Sequence, residues 1–112
     1  RQVKLALKNV SGERAAKAWL AYEPVWAIGE QGIPAEPDYI GAIHTSIRSV
    51  LVELYGEETA GKIPLLYGGS VNIDNAVPFI SEPNVDGLFI GRSAWNAKSF
   101  RDIMIKINDV QI

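Results

Sequence analysis

Apolar residues recur along this chain with two different rhythms. Val3, Leu7 and Val10 are spaced by four and three, which suits the last turns of an amphipathic helix ended by Ser11-Gly12. From Ala15 to Ile28 the sequence turns small and apolar without polar alternation (AAKAWLAYEPVWAI), as in a parallel strand buried on both faces, and Pro24 should stop that strand. Residues 29–38, GEQGIPAEPD, carry two Gly, two Pro and four acidic or amide side chains and predict a long loop. Ile40, Ile43, Ile47, Val50, Leu51 and Leu54 then return every three or four residues, so a helix is expected from Pro37 to Tyr55, with Pro in its first turn and Gly56 as its stop. Ile63 to Tyr67 reads as a short buried strand, and Asn72 or Asp74 can cap a short helix running through Ile80. Val85 to Ile90 reads as another strand, closed by Gly91, and Phe100, Ile103, Met104 and Ile107 mark one side of a final helix.

Strands alternating with helices imply an α/β fold with parallel strands and right-handed crossovers. Three strands cannot close a barrel or bury both of their edges. The pattern therefore predicts a piece of a larger parallel sheet. Arg1 stands where an initiator Met would be expected, which suits a chain that begins inside something longer.

Composition narrows the function. With 47% apolar and 21% charged residues, the 112-residue chain has ordinary globular make-up. A net charge of −2, with eleven Lys and Arg scattered along the chain, supplies no basic surface for nucleic acid. Apolar runs are broken well before the length of a bilayer span, and no leader pattern opens the chain, so a soluble protein without membrane contact is expected. There is no Cys and a single His, His44, which excludes thiolate chemistry and any multi-histidine metal site within these residues.

The chemistry gathers where the strands end: Tyr22-Glu23-Pro24-Val25-Trp26, Tyr67-Gly68-Gly69-Ser70 and Ile90-Gly91-Arg92-Ser93. In parallel α/β folds that edge binds ligands. Glu23 has two readings, a general base with a pKa raised by its setting or one half of a structural ion pair. Gly68-Gly69-Ser70 can present backbone N–H groups and a hydroxyl to a phosphate, or be a plain tight connection. Gly91 forms a second such turn, and Gly29 could add a donor when the long loop closes. Trp26 and Ile28 either dock that loop on the core or stiffen it as a lid, with Pro24 and Pro34 confining motion to hinges. His44 is expected at the surface with no catalytic role.

Together these strings resemble the triosephosphate isomerase family. Ala21 to Gly29 (AYEPVWAIG) is similar to its active-site segment, Leu66 to Val71 (LYGGSV) to its seventh strand and loop, and Val85 to Gly91 (VDGLFIG) to its eighth strand. The resemblance implies a (β/α)₈ barrel, of which this chain would cover the last helix of unit five and units six to eight. It implies that Glu23 shuttles a proton between adjacent carbons of a phosphorylated sugar through an enediolate, interconverting dihydroxyacetone phosphate and glyceraldehyde 3-phosphate. Pro24, Val25 and Trp26 would open a lid running to about Ala35, which Tyr67 and Ser70 would latch. Gly29, Ser70, Gly91 and Arg92 would hold the substrate phosphate. No metal or organic cofactor is implied. The family's Lys, Asn and His come from the first four strands, so these residues alone are expected to be inactive; members are usually cytoplasmic homodimers. Two departures, Glu30-Gln31-Gly32-Ile33-Pro34 at the lid tip and Arg92-Ser93-Ala94-Trp95 after the eighth strand, resemble a branch acting on four-carbon erythrulose phosphates.

Overall fold

The computed structural model describes residues 1–27, 33 and 35–110. Helix α1 (Gln2–Ala6) and the single-turn helix α2 (Gly12–Ala15) precede strand β1 (Leu20–Tyr22). The long helix α3 (Pro37–Tyr55) and the short α4 (Glu57–Gly61) lead to strand β2 (Leu65–Tyr67). Helix α5 (Ala76–Ile80), strand β3 (Gly87–Leu88) and helix α6 (Ala97–Val110) complete the order. The strands are parallel and lie in sequence order, with Tyr22 opposite Tyr67 and Tyr67 opposite Leu88, so their carboxyl ends finish level.

Helix α3 has the bounds that its periodicity predicts, and it organises the core. Toward its amino end, Ile40 packs with Tyr67, Phe79, Val85 and Ile103; toward its carboxyl end, Leu51 packs with Leu7, Ala15, Ile63 and Leu65. Gly56 stops it with φ of 86°, a left-handed conformation that an L side chain resists. The Tyr55 hydroxyl donates to the Val10 carbonyl at 2.9 Å and ties this end of the helix to the first turns of the chain.

Several expectations change. Ser11-Gly12 starts a helix instead of only ending one, because the Ser11 hydroxyl accepts from the Arg14 amide at 3.3 Å as an N-cap. The strand expected from Ala15 and stopped by Pro24 shortens to Leu20–Tyr22, and Trp19 just before it is exposed. Strand β3 keeps only Gly87–Leu88 of the expected Val85–Ile90, since among the described residues it pairs with β2 alone. Helix α4 was not expected. Burial of β2 alternates, with Leu65 and Tyr67 buried and Leu66 between them half-buried, so helices cover one face of the sheet while the other stays open. Among the described residues no helix is long and apolar enough to cross a membrane.

His44 is buried, not on the surface. It belongs to the stripe Ile40, His44, Ile47, Leu51, where the spacing of four, three and four turns it inward. Its Nδ1 lies 2.9 Å from the Asn84 carbonyl, so the neutral ring carries its proton there, and Nε2 is buried without a partner among the described residues. Tyr22 and Tyr67 meet the ring edge-on, at centroid distances of 6.0 and 6.5 Å. Burial lowers its pKa below 6.5, outweighing the Asn84 carbonyl and Asp86, which act the other way, while Arg48 adds to the lowering. As pH falls below about 6.5 the unfolded chain takes up a proton that the folded chain resists, so this share of stability is present above that value and is lost below it. The urea midpoint should therefore drop between pH 7.5 and 5.5, and His44→Gln should flatten that drop; equal slopes in the two proteins would contradict it.

Candidate active site

Glu23 follows β1 directly and is exposed. Neighbouring backbone bonds fix its level: the Gly68 amide donates to the Tyr22 carbonyl at 2.9 Å, and the Phe89 amide to the Tyr67 carbonyl at 2.8 Å. Glu23, Gly68 and Phe89 thus stand side by side at the carboxyl edge of the sheet. A Cβ on Gly68 would lie 2.9 Å from Glu23 Cγ and 3.3 Å from Phe89 Cβ, so the Glu23 side chain lies across a position that only glycine leaves open. Among the described residues Glu23 forms no ion pair.

Tyr67 lies beneath the first glycine turn. Its ring packs on Phe79 at 4.5 Å, and a Cβ on Gly69 would run into its hydroxyl. That hydroxyl is buried and faces the backbone of Ala35 without closing a hydrogen bond. Burial pushes the Tyr67 phenol up, and the Ala35 backbone only partly offsets this. Burial likewise raises Tyr22, helped by the neighbouring Tyr39 hydroxyl.

Ser70 is half-buried, and its carbonyl accepts from Asn75 Nδ2 at 2.8 Å. Asn75 Oδ1 in turn accepts from the Asn72 amide at 2.7 Å, while Asn72 Oδ1 accepts from the amides of Asp74 and Asn75 at 2.9 and 3.1 Å. Asn72 Oδ1 thus closes the turn that precedes α5, but the N-cap of α5 is Asn75, whose side chain makes no capping bond, so neither Asn72 nor Asp74 caps the helix as expected. The second turn starts at Gly91, whose carbonyl accepts from the Ala94 amide at 2.9 Å, and Arg92 is exposed within it. Ser93 Oγ donates to the Val71 carbonyl at 2.8 Å, a contact across 22 residues that no local pattern marks beyond the position of Ser93 two residues after a turn glycine.

Both ends of the long loop are anchored. Pro24, Ala27 and Ala35 are buried, and the Ile33 amide donates to the Trp26 carbonyl at 2.9 Å. Val25 and Trp26 are exposed, and Trp26 lies against the equally exposed Tyr39 with ring centroids 6.2 Å apart. Ile28, Gly29, Glu30, Gln31, Gly32 and Pro34 lie outside the described residues, and with them the expected Gly29 phosphate contact, the lid tip and the Pro34 hinge.

The family model described as triosephosphate isomerase matches residues 1–107. An L-erythrulose-1-phosphate isomerase of Rhizobium rhizogenes is 54% identical over 106 residues, covering 94% of this chain and 39% of the relative. Proteins of the same name from Rhizobium etli and Brucella abortus are 47% and 46% identical, covering 96% and 94% of this chain and 39% and 40% of their own length. The chain thus spans about two-fifths of the length of the curated relatives it matches.

Proposed function

We propose that this chain, which belongs to the triosephosphate isomerase family, is the carboxyl-terminal portion of a (β/α)₈ barrel that isomerises a phosphorylated four-carbon ketose, with Glu23 as the base. The observation that carries this reading is the Glu23 side chain laid across Gly68, level with the strand end that leads into the first glycine turn. A carboxylate fixed at that edge can remove a proton from a sugar carbon while a turn close by holds the phosphate. Ser70, Gly91 and Arg92, with Gly29 from the loop, would grip that phosphate. Tyr67 would latch the loop through Ala35, toward which its hydroxyl already faces. The Lys and His that polarise the carbonyl in the family would come from strands outside this chain. The complete protein would be a cytoplasmic homodimer, which rests on the family alone.

The names of the relatives favour the four-carbon substrate over dihydroxyacetone phosphate, as do the departures at 30–34 and 92–95. In L-erythrulose 1-phosphate the carbonyl is at carbon 2, beside the phosphorylated carbon. Glu23 would take the proton from carbon 3, the electron pair of that C–H bond would form the enediolate across carbons 2 and 3, and return of a proton to carbon 2, with the hydroxyl proton passing from the oxygen of carbon 3 to that of carbon 2, would leave the carbonyl at carbon 3. The product of this shift is another ketose; the same shift on dihydroxyacetone phosphate gives an aldose.

The test needs an assembled barrel, made by fusing these 112 residues behind the upstream portion of the Rhizobium rhizogenes relative. Assayed side by side, it should turn over L-erythrulose 1-phosphate with a kcat/KM at least about tenfold above that for dihydroxyacetone phosphate, a difference of about 1.4 kcal/mol. The 112 residues alone should turn over neither. Preference for the three-carbon substrate would remove the four-carbon reading, and activity of the isolated chain would remove the two-part barrel.

A further inference from the structure

We propose that Ser93 is a positioning residue that ties the second glycine turn to the first, so that both close on one phosphate; the inference rests on the phosphate-gripping reading of Ser70, Gly91 and Arg92. Its hydroxyl donates to the Val71 carbonyl at 2.8 Å and so joins two turns 22 residues apart. Val71 is buried and directly follows Ser70, while Ser93 directly follows Arg92. The first turn is held from within by the Asn72 and Asn75 side chains. Among the described residues the second has no such internal web: its backbone closes through the Gly91 and Arg92 carbonyls, and a Cβ on Gly91 would meet nothing within 4 Å. Among the described residues, the Ser93 bond is the hydrogen bond that sets one turn against the other.

The consequence is geometric. Donors from two loops act together on one phosphate only if their spacing is fixed to a fraction of an ångström before the ligand arrives. Ser93 supplies that constraint at a half-buried position, where its hydroxyl reaches the carbonyl without displacing Val71. Alanine at 93 removes the link and leaves both turns intact. Threonine keeps the oxygen.

The assembled barrel tests this by inhibition with inorganic phosphate, alongside steady-state kinetics. Ser93→Ala should weaken phosphate inhibition about fivefold and raise KM for the phosphorylated sugar by a similar factor, with kcat within about twofold. Ser93→Thr should restore both. If Ser93→Ala does not fold, Ser93→Cys, a weaker donor in similar space, should give an intermediate loss. Unchanged phosphate inhibition in the variant, or a fall in kcat with inhibition and KM unmoved, would overturn the positioning role. Failure of phosphate to inhibit the unaltered barrel would instead overturn the phosphate-gripping reading, and this inference with it.

Discussion

Replacing Glu23 by Asp in the assembled barrel should lower kcat by about a hundredfold, with KM and the unfolding midpoint little changed. The substitution keeps the carboxylate but withdraws it by one methylene, and a displacement of about 1 Å at a reacting group costs on the order of a hundredfold. Glu23→Gln, which removes the base, should cost on the order of 10³ to 10⁴. Neither change should disturb the fold, because Glu23 is exposed and forms no ion pair among the described residues. Gly68→Ala offers the same displacement by another route, since its Cβ would press on Glu23 Cγ from 2.9 Å. Near-normal turnover in Glu23→Asp would end the assignment of this residue as the base.

Arg48→Ala should be the most destabilising single change outside the active edge, lowering stability by about 2–4 kcal/mol. From the middle of α3, one guanidinium donates to the carbonyls of Ala60 and Ile63 at 2.5 and 2.7 Å, to Asn84 Oδ1 at 3.2 Å and to Asp86 Oδ2 at 2.5 Å. The same Asp86 oxygen accepts from the Leu65 amide at 2.8 Å, so the network joins α3 and α4 to the start of β2. The Arg48 side chain is 16% exposed but that of Asp86 is 42%, so the charge pair itself contributes little. Most of the loss comes from carbonyls left without a donor. Arg48→Lys should recover only a small part, because an ammonium cannot reach four acceptors in a fork. Urea unfolding of the three proteins checks this; an Arg48→Ala midpoint equal to that of the parent would contradict it.

How much of this was legible in the sequence depended on whether a residue's partner lay nearby in the chain. Helix α3 is legible to its ends because periodicity, Pro37 and Gly56 are all local signals. Glu23 and the first glycine turn stand directly at strand ends, where Pro24 and Gly68 punctuate the sequence, whereas Gly91 lies three residues beyond the end of β3 at Leu88. Strand lengths were overread: small apolar text from Ala15 onward fits a helix turn as well as a strand, and pairing with β2 decides between them only at Leu20–Tyr22. The burial of His44 is hidden in the sequence, because its polar side chain suggests the surface while its position on the stripe with Ile40 and Leu51 turns it inward, toward an Asn84 carbonyl 40 residues away. Arg48 and Ser93 were illegible for the same reason, as their acceptors come from other loops.

Glu23 as a proton-shuttling base makes one claim that solvent can report. A base that holds the proton between two carbons exchanges part of it with water, whereas a hydride passed directly between the carbons never meets solvent. Isomerisation of L-erythrulose 1-phosphate by the assembled barrel in D₂O, followed by NMR of the product, should show deuterium at carbon 2 in at least part of the material. The Glu23→Gln variant should form neither product nor label at a comparable rate. Product formed at full rate with no deuterium at that carbon would contradict the enediolate route and the role given to Glu23.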